Sequence, residues 1–162
     1  MAASASSSLI SGSKYDVFLN FRGEDTRNTF TSHLYAALCR SKIETFIDDS
    51  EVRTGDEISS SLSNAIQSSR LSIIIFSKDY ASSSWCLNEL LEIVECHKTK
   101  GHTILPIFYH VSPSEIRKQT GTYGKAFAIR EERFKETDKV QKWRTALANV
   151  TNLSGTVINH DR

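Results

Sequence analysis

The chain has 162 residues, 39% hydrophobic and 24% charged, and its 20 Lys/Arg against 19 Asp/Glu leave a formal net charge of +1. That length suits one domain burying roughly two-thirds of its unfolded surface, with no need of a disulfide or metal to stay folded. The balanced charge argues against a dedicated nucleic-acid binder, and no run approaches the roughly 20 apolar residues needed to cross a bilayer.

Cys39, Cys86 and Cys96 are odd in number and show no C-x-x-C spacing. They read as reduced thiols of an intracellular protein, in the cytoplasm with the nucleus also open. The opening MAASASSSLISGSK has neither a basic n-region nor an apolar h-region. Residues 1–13 are therefore expected to be a disordered Ser/Ala-rich tail ahead of one domain over 14–162.

Short apolar runs then alternate with helical patterns. Tyr15 to Asn20 (YDVFLN) is the first predicted strand, and Phe30, Leu34, Ala37 and Leu38 follow at helical spacing. A brief run from Glu44 to Ile47 precedes an acidic, polar loop around Gly55, and Ile58, Leu62, Ala65 and Ile66 mark one face of the next helix. Leu71 to Phe76 (LSIIIF) has the composition of a strand buried on both faces. Leu87, Leu90, Leu91 and Val94 form a helical stripe, and Thr103 to Tyr109 the next strand. Ser112-Pro113-Ser114-Glu115 opens a helix: Ser112 caps, Pro113 sits where no N–H is needed, and Glu115 completes a capping box. Val140, Trp143, Leu147 and Val150 make the last periodic stretch, ending near Gly155, with a final strand placed at Thr156 to Ile158.

Strands alternating with helices imply parallel crossovers, so the predicted class is α/β: a flavodoxin-like three-layer fold, a five-stranded parallel sheet with helices on both faces. Ligands of such sheets bind beyond the C-terminal strand ends, where the strand order reverses. For the order 2-1-3-4-5 that crevice lies between the first and third strands. The loops meeting there are Phe21 to Arg27 (FRGEDTR) and Ser77 to Glu89 (SKDYASSSWCLNE), with Asp48 to Glu57 beside them.

There is no G-x-G-x-x-G after the first strand, no P-loop, no G-x-S-x-G and no H-E-x-x-H, and the five histidines lack metal-ligand spacing. No metal site is expected. A phosphoacceptor receiver domain would carry an acidic pair just after its first strand, where this chain has Phe21-Arg22.

Four segments in order, KYDVFLNFRGEDTRNTFTSHLYAAL, the loop ending TGDEI, IIIFSKDYASSSWCLNELLEI and ILPIFYHVSPSEIRKQTGTYGKAF, make a stretch from Lys14 to Gly155 that resembles the TIR domain of plant intracellular immune receptors. Asn20 stands where the family usually has Ser, Thr54 where a basic residue is common, and Thr156 in place of an aromatic. The resemblance implies an NAD⁺ nucleosidase that releases nicotinamide and ADP-ribose or its cyclic variants, signals in plant innate immunity and cell death, and is activated by self-association. NAD⁺ or NADP⁺ would be substrate, with no cofactor.

By that resemblance Glu89, of the WCLNE motif, is the catalytic residue, and Phe21 and Arg22 help to bind the dinucleotide. The chemistry is compatible. Ordinary glycoside hydrolysis needs a second carboxyl to protonate the leaving group. Nicotinamide is already cationic in NAD⁺ and departs neutral, so one carboxylate beside the ribose suffices to stabilise the oxocarbenium-like transition state. Trp85, four residues before Glu89, shares its helix face and offers an indole to the ribose or pyridinium. Arg22 can pair with the diphosphate, and Gly23 permits close backbone approach.

Plainer readings stand beside these. Glu89 points away from the leucine stripe, as an ordinary solvated glutamate does. Trp85 at a helix start is a common packing residue, and Arg22, Glu24, Asp25 and Arg27 also read as a surface charge cluster. Ser32 and His33 are adjacent, so they diverge by about 100° and do not form a catalytic pair. The resemblance makes them self-association residues on the first helix, used together with the last helix. The partners implied are NAD⁺, a second copy of the chain and other TIR domains; no membrane is expected, and the near-neutral charge gives no support to the action on RNA or DNA attributed to some relatives. The alternative function is a non-catalytic homotypic interaction module.

Overall fold

The structure, a computed structural model, describes residues 14–47, 60–134 and 137–158. The tail expected over 1–13, the loop Asp48 to Glu57 and the stripe residue Ile58 lie outside the described residues. The elements run β1 (Tyr15–Phe21), a short helix α1 (Gly23–Thr26), a π-helical turn (Arg27–Thr31), α2 (Ser32–Arg40), β2 (Thr45–Phe46), α3 (Ser60–Gln67), β3 (Ser69–Phe76), a 3₁₀ turn (Tyr80–Ser82), α4 (Ser84–Lys100), β4 (Thr103–Tyr109), α5 (Pro113–Lys118), α6 (Gly121–Phe134), α7 (Thr137–Val150) and β5 (Thr156–Ile158).

The five strands form one sheet in the order β2-β1-β3-β4-β5, every pairing parallel. The order reverses between β1 and β3, as a doubly wound sheet requires. Because side chains alternate along a strand, the register sorts the core into two layers. Val17, Leu19, Phe21, Ile73, Ile75 and Ile107 face α2, which lays Leu34, Tyr35 and Leu38 against them. Phe18, Ile74, Phe76, Ile104 and Phe108 face the other way, beneath α3, α4, α6 and α7. Most periodic residues behave as spaced: Leu62, Ala65, Ile66, Leu87, Leu90, Val94, Val140, Trp143, Leu147 and Val150 are buried, whereas Leu91 and the first set, Phe30, Leu34, Ala37 and Leu38, are half-buried.

Two features differ from the sequence expectations. Ser112 caps α5, its Oγ accepting from the Glu115 N–H at 3.1 Å, but the Glu115 carboxylate does not return to close a capping box. It accepts instead from Thr122 N–H at 3.1 Å and from Thr122 Oγ1 at 3.3 Å, and so caps the next helix. The chain turns sharply enough at Gly121 (φ 59°) for a Cβ there to fall 2.4 Å from Glu115 Oε2. The helix it caps, α6, had no predicted counterpart. Its inner positions are Tyr123, Ala126, Phe127 and Arg130, so a small residue and an arginine dilute the apolar stripe.

Candidate active site

The loops after β1 and β3 meet at the reversal point. Asp25 Oδ2 accepts from Ser77 Oγ at 2.6 Å and from the Asp79 N–H at 3.0 Å, tying the two loops together. Its other oxygen takes Arg22 Nη1 at 2.8 Å, while Arg22 Nη2 reaches Glu24 Oε1 at 2.9 Å. Burial pulls the Arg22 pKa down, but the adjoining Asp25 charge, with Glu24 and Asp79, outweighs it and leaves the pKa raised. Within this cluster the Glu24 side chain is 79% exposed and solvated, whereas Asp25 at 14% is a strut between loops. Tyr123 of α6 donates to Ser77 O at 2.7 Å and Thr122 to Lys78 O at 2.8 Å, bracing the same loop from outside.

Ser83 caps α4 by accepting from the Cys86 N–H at 3.1 Å, setting the helix start against the end of β1. There Cys86 Sγ donates to Phe21 O at 3.2 Å. In the second turn Glu89 is only 3% exposed. This corrects the solvated-glutamate reading that the helix periodicity supports. The leucine stripe records only which side of α4 meets apolar side chains. The Glu89 side meets polar tips instead: Asn20 Nδ2 donates to Glu89 Oε1 at 2.7 Å and reaches Cys86 O at 3.4 Å. Tyr80 O–H in turn donates to Asn20 Oδ1.

Trp85 lies one turn before Glu89 on α4, half-buried and packed against the core layer beneath that helix. Arg22 and Gly23 follow directly at the end of β1, and a Cβ at Gly23 would sit 3.2 Å from Arg27 Nε. Phe21 is separated from Glu89 by the strand alternation. Its ring is buried in the α2 layer beneath the Arg27 guanidinium, 4.9 Å away, on the opposite face of the sheet from Asn20. Its carbonyl meets α4 at Cys86. Ser32 and His33 open α2 and are exposed, on the sheet face away from Glu89. Sequence reasoning noted Asn20 only as a departure from a family pattern and did not single out Tyr80. The usable signal was an amide on the Phe18 face of β1.

Burial drives the pKa of Tyr80 well above the tyrosine range, with Cys86, Tyr123 and Glu89 adding to it. Burial likewise pushes the Cys86 thiol up to about 12, helped by the Glu89 charge. Both stay protonated at neutral pH, which makes Tyr80 a fixed donor and Cys86 an unreactive thiol. Among the described residues no group of His, Cys, Asp and Glu could hold a metal ion, and no helix is long and apolar enough to cross a membrane. A groove of about 590 Å³ runs between α4 and α7, lined by Leu91, Val94, Lys98 and Asn149, and includes none of the residues around Glu89.

A parallel sheet in this order, with a buried glutamate on α4 at its reversal point, defines a flavodoxin-like domain with a built polar site. The profile of the TIR domain family matches residues 14–161, and the chain belongs to that family. It is 53% identical over 161 residues to disease resistance protein RPV1 of Vitis rotundifolia, covering 99% of this chain and 11% of that protein. To TMV resistance protein N of Nicotiana glutinosa it is 48% identical over 163 residues, covering 100% of this chain and 14% of that protein. The chain therefore spans little more than a tenth of the length of these curated relatives. Among solved structures it is similar to the TIR domains of the activated Roq1 resistosome directly recognising the pathogen effector XopQ, with a TM-score of 0.85 and 48% identity over 91% of this chain and 90% of that one.

Proposed function

We propose that this chain is an NAD⁺-cleaving TIR domain that signals in plant immunity and gains activity by self-association. The observation that carries the reading is the placement of Glu89: a carboxylate at the reversal point of the sheet, 3% exposed and held by an amide donor. In the proposed step the bond between ribose C1′ and the nicotinamide nitrogen breaks heterolytically. The electron pair neutralises the pyridinium, and nicotinamide leaves without a general acid. The Glu89 charge stabilises the cation developing at C1′, in surroundings where little water screens it. Water then adds to C1′ and its proton passes to solvent, giving ADP-ribose; attack from within the nucleotide gives a cyclic product.

The other residues take supporting roles. Trp85, on the Glu89 face of α4, offers its ring to the ribose or pyridinium. Arg22 and Gly23 receive the diphosphate, which displaces the exposed Glu24 partner first because Asp25 is the more buried. Relatedness to disease resistance proteins and to the TIR domains of a resistosome supports the signalling role and the TIR–TIR contacts. Ser32 and His33, both exposed at the head of α2, supply a surface for such contacts.

The test incubates concentrated protein with NAD⁺ and follows nicotinamide release. Specific activity is expected to rise with protein concentration, and Glu89→Ala to lower it by ~10²–10³-fold, as loss of a principal electrostatic stabiliser does. Artificial clustering should restore activity to a His33 variant and not to Glu89→Ala. Equal turnover by wild type and Glu89→Ala would overturn the catalytic assignment and leave the interaction module as the function.

A further inference from the structure

We infer that Asn20 is a positioning residue for Glu89: its side-chain amide, oriented by the Tyr80 hydroxyl, holds the Glu89 carboxylate in place. This rests on the proposed role of Glu89 and deepens it.

The hydrogen bonds admit one orientation of the amide. Two acceptors, the Glu89 carboxylate at 2.7 Å and the Cys86 carbonyl at 3.4 Å, lie against one end of the Asn20 side chain. Reversing the amide would set its oxygen against both, so the nitrogen must face them. The oxygen then faces the Tyr80 hydroxyl, which donates to it and also reaches the Cys86 carbonyl at 3.3 Å. Burial keeps that phenol protonated, so the donor persists across the working pH range. The resulting chain runs Tyr80 O–H to Asn20 C=O, and Asn20 N–H to Glu89 Oε1.

Every member sits on a fixed element. Asn20 is wholly buried in β1, paired with Ile74 of β3 at the centre of the sheet. Tyr80 is wholly buried in the 3₁₀ turn, its ring set edge-on to Phe76 with centroids 4.9 Å apart. Glu89 itself rides on α4, a helix rather than a loop. Such a chain restricts the carboxylate to one rotamer and favours its ionised form, which alone can only accept. The groups that bear on this charge come from several elements: Tyr80 from the 3₁₀ turn and Cys86 from α4 interact with Glu89, Tyr123 of α6 acts on Tyr80, and Arg22 and Asp25 act on Cys86. Tyr80, Tyr123 and Cys86 have raised pKa values and remain neutral through the acidic range.

Two variants test the inference. Asn20→Val removes the donor in a strand-compatible shape, and Asn20→Asp keeps the shape but faces Glu89 with a second acid. Each is examined by ¹³C NMR titration of the Glu89 carboxyl without NAD⁺, and by the pH profile of nicotinamide release. The expected result for both is a Glu89 midpoint raised by about one pH unit or more. The acidic limb of kcat should move with it, costing about tenfold near the foot of the profile and recovering as pH rises, while KM for NAD⁺ changes little. If one variant does not fold, the other carries the test. A midpoint unchanged from wild type, with activity reduced by the same factor at every pH, would show a merely structural asparagine and overturn the inference. The NMR arm needs no turnover. A wild type that releases no nicotinamide defeats the enzymatic reading while leaving the effect of Asn20 on Glu89 measurable.

Discussion

Glu89 shows how a residue's own helix can mislead about its surroundings. Its angular position on α4 is that of a solvent-facing glutamate, yet it is 3% exposed, with the Asn20 amide of β1 bonded to it and the Tyr80 hydroxyl of the 3₁₀ turn behind that amide. A hydrophobic pattern registers apolar neighbours and is blind to a wall made of an amide and a phenol. The same environment makes a prediction for the cysteines. Cys39 is exposed, Cys86 is buried with its thiol pushed up to about 12, and Cys96 is buried with its pKa raised. A thiol-specific disulfide reagent at pH 8 should titrate one group rapidly in the native protein, lost in Cys39→Ser, and three in denaturant. Rapid native reaction at Cys86 would contradict the closed packing around Glu89.

At the scale of elements, α4 decides the site, since it carries Trp85 and Glu89 and is held at both ends. Its start is capped by Ser83, and its end passes through Gly101 (φ 71°) into a turn in which the Gly101 N–H bonds His97 O and the His102 N–H bonds Cys96 O. A Cβ at Gly101 would meet nothing within 4 Å, so Gly101→Ala tests backbone strain alone. It should cost ~1 kcal/mol in urea unfolding at an unchanged m-value. Ser83→Ala should lose a similar ~1 kcal/mol by orphaning the Cys86 N–H. A change well below ~0.3 kcal/mol in both would show that tertiary packing, rather than its caps, fixes α4. Elements with a clean period were legible from residues alone: β4 falls on the expected residues, and the stripes of α4 and α7 are buried as spaced save for the half-buried Leu91, while β5, placed by its position late in the chain, also falls where expected. α6 was not, because Arg130 on its inner side is satisfied by Ala81 O at 2.9 Å and Ser84 Oγ at 2.8 Å, contacts that no local pattern encodes.

The molecule as a whole should lose stability on both sides of neutrality. Burial lowers the pKa of His102, whose Nε2 lies 2.8 Å from Ser72 Oγ. Its unfolded pKa is near 6.5, so as pH falls below that value the unfolded chain takes a proton that the folded one resists, and stability declines. On the alkaline side Cys86 rises from 9.0 to about 12, with Tyr80 and Tyr123 also raised, so above pH ~9 the unfolded state releases protons the native state retains. Tm should therefore fall from pH 7 to 5, less steeply in His102→Gln, and again from pH 9 to 11, less steeply in Cys86→Ala. A flat profile in either range would contradict the burial assigned to that group.

From its residues alone the chain specified an α/β sheet with helices on both faces, the reversal point between β1 and β3, and the two loops that meet there. Alternation, helical stripes and turn chemistry are local, and parallel crossovers leave few ways to arrange them. Folding decided what surrounds each polar group: it turned Phe21 into the α2 layer, sent the Glu115 carboxylate to cap α6 and set Asn20, backed by Tyr80, against Glu89. Asn20 and Glu89 stand 69 positions apart in the sequence. Their bond exists because register and helix packing bring β1 and α4 together, and no periodicity within either segment contains that information.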